Sequence, residues 1–157
     1  MHALQVVLYG ITFELTIEKI KATVPNNQPL AKKTIILSWV MSGMVIAFML
    51  FDSLFKFIQP KEVVDGTVIL GFAEHHILTL GILGLVSIVL YAFPATSFLG
   101  AILLTGYFGG AIATHLRLDN PLFSHILFPV YLGVLAWGGL WLRSQPLRKL
   151  LPGVTAR

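Results

Sequence analysis

Residues 103–117, LLTGYFGGAIATHLR, decide how this chain folds. The segment is apolar enough to lie inside a membrane, and it ends in a histidine and an arginine that hydrocarbon does not tolerate without partners. In a helix, Gly106, Gly110 and Ala113 recur every three to four residues and share one face, where the lack of bulk lets another helix approach closely. We therefore expect a membrane helix with a packing face and a polar end.

The composition places the whole chain in a membrane. Of its 157 residues, 56% are hydrophobic and only 11% are charged, whereas a soluble domain carries more charge on its surface. The absence of cysteine excludes a disulfide, a thiolate metal ligand, a thiol redox pair and c-type haem attachment. The net charge of +4 comes from basic residues beside apolar segments. This placement favours anionic lipid headgroups as partners and argues against nucleic acid.

Four apolar stretches predict helices that cross the bilayer. They cover about residues 34–57, 76–93, 97–116 and 122–142, and short connections join them. Only helices and closed barrels cross membranes, and uninterrupted apolar runs of this length form helices. The sequence therefore predicts an all-α fold, in which residues 34–142 form a bundle of four transmembrane helices. Between the first two spans, residues 61–72 suit a short helix that lies on the membrane surface or re-enters it.

Two segments flank this membrane domain. In residues 1–33 the apolar residues fit both the two-residue alternation of a strand and the one-sided stripe of a helix. We favour an amphipathic helix at the membrane interface. The segment does not resemble a signal peptide, because it lacks a basic start and a small-residue cleavage site. Residues 143–157 form a basic juxtamembrane tail.

The distribution of basic residues predicts the orientation. The side with both termini carries Lys19, Lys21, Lys32, Lys33, Arg143, Arg148, Lys149 and Arg157, whereas the opposite side carries Lys56, Lys61 and Arg117. By the positive-inside rule, both termini are cytoplasmic. Most other polar residues of the membrane domain then collect at the extracytoplasmic end of the bundle.

This polar cluster has two interpretations. Its side chains can simply be hydrated at the interface, or they can line a pocket for a lipid headgroup, a quinone or a small substrate. The candidate pocket residues are Asp52, Lys56, His76, His115, Arg117 and His125. Asp52 and Lys56 are four residues apart and can pair on one helical face. We predict no metal site, because neither HxxxH nor HExxH spacing is present, and we assign no catalytic residue.

Several segments resemble the DoxX-like family of small four-helix membrane proteins. They are FDSLFKFIQPKEVV at residues 51–64, LGF at 70–72, LGAILLTGYFGGAIATHLR at 99–117 and NPLFSHILFPVYLGVLAWGGLWLR at 120–143. The resemblance covers about residues 43–151 and implies the same fold and a membrane location, which we expect to be the bacterial inner (plasma) membrane. It also implies that some relatives are subunits of complexes that pass electrons from sulfur compounds to quinone or defend against oxidants, whereas many have no assigned activity.

Two functional hypotheses follow. The first is an accessory or structural membrane subunit, which packs against copies of itself or a partner and binds a lipid headgroup or quinone at its polar end. The second is a quinone-reactive subunit of a membrane oxidoreductase, or a small enzyme in its own right. In it, His115 and His125 donate hydrogen bonds or protons to a quinone oxygen, and Arg117 and Lys56 balance negative charge. No cofactor other than a bound quinone is expected in this chain, so a redox partner subunit would have to supply one. A transporter is disfavoured, because the sequence contains no inverted repeat.

Overall fold

The computed structural model describes residues 14–15 and 31–150. The chain divides into two units, Met1–Leu30 and Ala31–Arg157. Of the first unit, only Glu14 and Leu15 are described, and both are helical. The predicted interfacial helix therefore lies almost wholly outside the described residues, as does the end of the basic tail from residue 151 onward.

The second unit is built from helices, which confirms the predicted all-α class. In chain order they are α1 (Lys32–Ile58), α2 (Lys61–Ile69), α3 (His76–Ala92), α4 (Ser97–Arg117), a π-helical turn (Leu122–Ile126), α5 (Phe128–Arg143) and α6 (Gln145–Leu150). The π-helical turn replaces regular α-helix at the start of the predicted fourth span. Pro129 explains the interruption, because it has no N–H to donate to the carbonyl four residues earlier.

Within residues 14–15 and 31–150, three segments are long and apolar enough to cross a membrane, namely Lys32–Ile58, Ser97–Arg117 and Leu122–Arg143. The remaining apolar helix, His76–Ala92, has 17 residues. At the rise of an α-helix it extends about 25 Å, a few Å less than the hydrocarbon core of about 30 Å. The structure thus supports a membrane protein with three candidate spans, and a fourth crossing stays a prediction.

The four long helices pack side by side. Helix α1 packs against α3 and α5, and α4 packs against the same two helices. All four helices contribute to the buried hydrophobic core, whose members are Val45, Met49, Ile88, Tyr91, Ala101, Leu104, Phe108, Leu132, Ala136 and Leu140. At its centre, the Tyr91 hydroxyl donates to the Ala136 carbonyl at 2.7 Å and lies 2.9 Å from the Ser42 hydroxyl, so one side chain of α3 joins α5 and α1.

Glycines allow the close helix contacts. A Cβ added at Gly84 of α3 would lie 2.8 Å from the Ser53 hydroxyl oxygen, and one at Gly139 of α5 would lie 2.9 Å from the Ser38 carbonyl oxygen. The tightest contact is at Gly100 of α4, where an added Cβ would overlap the backbone of Leu90 and Tyr91. Gly139 thus brings α5 against the backbone of α1, Gly100 brings α4 against the backbone of α3, and Gly84 makes room for a side chain of α1.

The glycine stripe of α4 has a different environment. A Cβ added at Gly106 or Gly110 would meet no described atom within 4 Å, and both residues are exposed, as is Ala113. No other described helix of this chain therefore packs against this face. Packing of Gly106, Gly110 and Ala113 against a second copy or a partner stays a prediction.

Candidate ligand-binding cavity

A cavity of about 700 Å³ lies between α1, α3, α4 and α5. It sits at the end of the bundle where α1 and α4 finish and α3 and α5 begin. Its volume falls within the range of small-molecule sites, which is roughly 300–1,000 Å³. The lining is mostly apolar and includes five aromatic side chains, Phe48, Phe72, Tyr107, Phe108 and Phe128.

Asp52, Lys56 and Tyr107 form one polar patch on the cavity wall. Asp52 and Lys56 lie one helical turn apart on α1, and the Lys56 ammonium donates to the Asp52 carboxylate. The other carboxylate oxygen of Asp52 accepts a hydrogen bond from the Tyr107 hydroxyl of α4 at 3.2 Å. The Lys56 and Asp52 side chains are 14% and 29% exposed, so the patch is half-buried. A buried charge is tolerated when it is paired in this way.

His115 also lines the cavity, at the end of α4. The chain turns back after this helix through Asp119, whose φ of 51° is left-handed, and the backbone N–H of Asn120 donates to the His115 carbonyl at 3.1 Å. This turn places the Asn120 amide nitrogen 2.9 Å from Nδ1 of His115. The Asn120 amide group therefore engages Nδ1, and Nε2 is the ring nitrogen of His115 that is left for a ligand.

The end of α2 and the residues after it form one part of the cavity wall, which we call the roof. Thr67, Leu70 and Phe72 from this segment line the cavity. The Arg117 guanidinium donates to the Leu70 carbonyl at 2.8 Å, and so ties the roof to the end of α4. The next residue, Gly71, has a φ of 86°, a conformation that favours glycine, and a Cβ there would overlap the Arg117 side chain.

The predicted pocket residues therefore fall into three groups. Asp52, Lys56 and His115 line the cavity. Arg117 does not line the cavity but hydrogen-bonds to the Leu70 carbonyl in the roof. His125 does not line the cavity either, and its ring centroid lies 5.5 Å from that of His115. His76 is exposed and does not line the cavity, and its ring centroid lies 4.0 Å from that of His75 with the two ring planes inclined by 52°. Ligand binding by any of these residues stays a prediction.

Sequence reasoning missed Tyr107, Asn120 and the roof residues. The sequence offers one signal for Tyr107, namely a hydroxyl group within an apolar span. The residue lies eight positions before His115, about two helical turns away on α4. Nothing in the sequence pairs Tyr107 with Asp52, which is 55 residues earlier. Within residues 14–15 and 31–150, no three His, Asp or Glu side chains cluster as a metal site would require.

Comparison with known proteins gives one match. No curated protein and no solved structure is significantly similar to the chain. A protein-family profile described as the DoxX-like family matches residues 40–139. This range contains every residue that lines the cavity, from Phe48 to Leu132. Because the match covers well over half of the 157 residues, the chain belongs to the DoxX-like family.

Proposed function

We propose that this protein is an accessory or structural subunit of the bacterial inner (plasma) membrane, and that its cavity binds the polar head of an amphiphile. The head is that of a membrane lipid or a quinone. The supporting observation is the cavity itself, about 700 Å³ with apolar walls and one half-buried polar patch. An amphiphile suits a cavity with apolar walls and one polar patch, because its apolar part contacts the aromatic walls and its head reaches Lys56, Tyr107 and His115.

In this proposal all four long helices cross the membrane, and both termini are cytoplasmic. The excess of basic residues on the side of the termini supports this orientation. The cavity then opens in the extracytoplasmic half of the bilayer, and α2 lies at that surface. The exposed Lys61–Asp65 ion pair of α2 suits a hydrated position there.

Cysteine labelling tests the orientation, because the natural chain contains no cysteine. Lys61 has an 86% exposed side chain on α2, and Lys149 is exposed on α6. We expect a membrane-impermeant maleimide to label Lys61→Cys in intact spheroplasts and to label Lys149→Cys only after permeabilisation. The unsubstituted protein is the control and should not react. Labelling of Lys149→Cys in intact spheroplasts would refute the proposed orientation.

Native mass spectrometry of the gently extracted protein tests amphiphile binding. We expect a mass above that of the bare chain by one amphiphile, retained when the surrounding bilayer lipid is stripped by collisional activation. The exposed variant Asp65→Asn, which lies away from the cavity, should retain the same adduct. The proposal would be contradicted if all bound lipid left the protein together with the detergent during activation.

A second candidate function is a quinone-reactive subunit of a membrane oxidoreductase. Tyr107 and His115 support it, because both carry a proton at the polar side of the cavity. A partner subunit would supply the redox cofactor. The same mass spectrum separates the two functions: a second polypeptide with a redox group favours this candidate. A homo-oligomer without a second kind of polypeptide favours the accessory role.

A further inference from the structure

We infer that the end of the bundle opposite the cavity binds the phosphate group of an anionic membrane lipid through Arg143 and Arg148. This end contains the start of α1, the connection between α3 and α4, and the end of α5 with α6. The site is separate from the cavity, whose lining includes neither arginine. In the proposed orientation it faces the cytoplasmic leaflet.

The charge of this end is the first reason. The segments that meet there, residues 31–50, 86–104 and 134–150, contain no aspartate or glutamate and five basic residues, Lys32, Lys33, Arg143, Arg148 and Lys149. Within the described part of the chain, none of these five side chains forms an ion pair. An uncompensated group of cations attracts an anion and is stabilised when one binds.

The Arg143 guanidinium is positioned by two aromatic rings. Its Cζ lies 4.5 Å from the ring centroid of Trp39 on α1 and 5.2 Å from that of Tyr91 on α3. Nη2 of Arg143 lies 3.4 Å from the Tyr91 carbonyl oxygen, whereas Nη1 is buried and has no hydrogen-bond partner among the described atoms. A guanidinium held in this way retains N–H donors, and its planar fork matches the geometry of a phosphate.

Arg148 adds a second guanidinium at the same end. Leu147 of α6 packs against the hydrophobic core, and its backbone N–H lies 3.4 Å from the Ser144 hydroxyl oxygen, so α6 is held close to the end of α5. The next residue, Arg148, has a buried Nε without a partner among the described atoms. An unpaired donor of a charged group is costly, and a bound anion removes that cost. Both arginines are partly exposed, so we expect small side-chain rotations to bring these donors to a phosphate.

The surroundings favour a lipid over a soluble phosphate. Arg143 is the last residue of the candidate span Leu122–Arg143, and the exposed Trp39 beside it is typical of a membrane interface. From Trp39 into the membrane, α1 carries an exposed apolar stripe of Val40, Met44 and Phe51. A lipid with its phosphate at Arg143 would lay its acyl chains along this stripe. Basic sites between membrane helices commonly bind anionic headgroups in this manner.

The test is a native mass spectrometry titration of the purified full-length protein with two lipids. Dioleoyl phosphatidylglycerol and dioleoyl phosphatidylcholine have the same chains and a phosphate each, but only the first has a net negative charge. We expect one phosphatidylglycerol per chain, bound at least tenfold more tightly than phosphatidylcholine. Arg143→Gln and Arg148→Gln should each reduce this preference at least threefold. Lys61→Gln removes one positive charge from the exposed surface of α2 and should leave the preference unchanged.

Arg148→Gln also guards against misfolding, because Arg143→Gln removes contacts with Trp39 and Tyr91 whereas Arg148 makes neither contact. A thermal unfolding scan checks the fold of each variant. Preincubation with millimolar sodium phosphate, compared with sodium chloride at equal ionic strength, separates a lipid site from a site for soluble phosphate. We expect the lipid to stay bound in both salts. The inference is overturned if folded Arg148→Gln keeps the full preference, if Lys61→Gln loses as much of it, or if phosphate alone displaces the lipid.

Discussion

Gly100→Ala is expected to destabilise the protein more than any other single methyl group added to α4. The new Cβ would lie 2.7 Å from the carbonyl carbon of Leu90 and closer still to the backbone of Tyr91. Backbone cannot rotate away as a side chain can, so α3 and α4 must separate. We expect a loss of about 3 kcal/mol, typical of severe overpacking. For a chain of this size, the apparent melting temperature in detergent would fall by roughly 6–12 °C.

The matched control is Gly109→Ala on the same helix. Its Cβ would meet no described atom within 4 Å, and alanine favours a helix over glycine by about 1 kcal/mol. The melting temperature of this variant should stay the same or rise slightly. Equal melting temperatures for the two variants would show that α3 and α4 are not in the contact described above.

Gly106→Leu should abolish ligand binding and leave the fold intact. Gly106 lines the cavity, and a Cβ added there would meet no described atom within 4 Å. We therefore expect a leucine side chain to occupy cavity space and to leave the helix packing unchanged. We expect the affinity for decylubiquinone to fall more than tenfold, which is about 1.4 kcal/mol or more. Titration calorimetry measures the affinity, and a thermal unfolding scan checks the fold.

Gly109→Leu is the control for this variant. Gly109 has equally open space but does not line the cavity, so binding should be retained. Native mass spectrometry of both variants reports any change in association with a second copy. Wild-type affinity in Gly106→Leu, or equal loss of affinity in both variants, would rule out this cavity as the binding site.

The helical class and most of the helix boundaries follow from local properties of the sequence. Hydropathy alone places α1 and α4 within two residues of their predicted spans, residues 34–57 and 97–116. The Asp52–Lys56 pair is equally local, because a helix brings residues four apart together. The clustering of Asp52, Lys56 and His115 follows from topology, since consecutive helices run in opposite directions and return these residues to one end.

The remainder depends on three-dimensional packing. The bond between Tyr107 and Asp52 requires the rotation of α4 about its axis, which side-chain packing sets and local sequence does not. The glycines illustrate the same limit. Gly106 and Gly100 are indistinguishable by helical propensity, yet Gly100 contacts a neighbouring backbone and Gly106 faces a cavity.

The short length of α3 affects which bilayer thickness suits the protein best. Helix α3 has 17 residues, whereas its neighbour α1 has 27 residues. If α3 crosses the bilayer as proposed, the hydrophobic height of the protein differs around its perimeter, and the lipids next to α3 must compress or tilt to match it. Each ångström of such mismatch costs a fraction of a kcal/mol. A thinner bilayer removes this cost on the side of α3, and the longer helices adapt to it by tilting. The protein should therefore partition into the thinner regions of a membrane of mixed thickness.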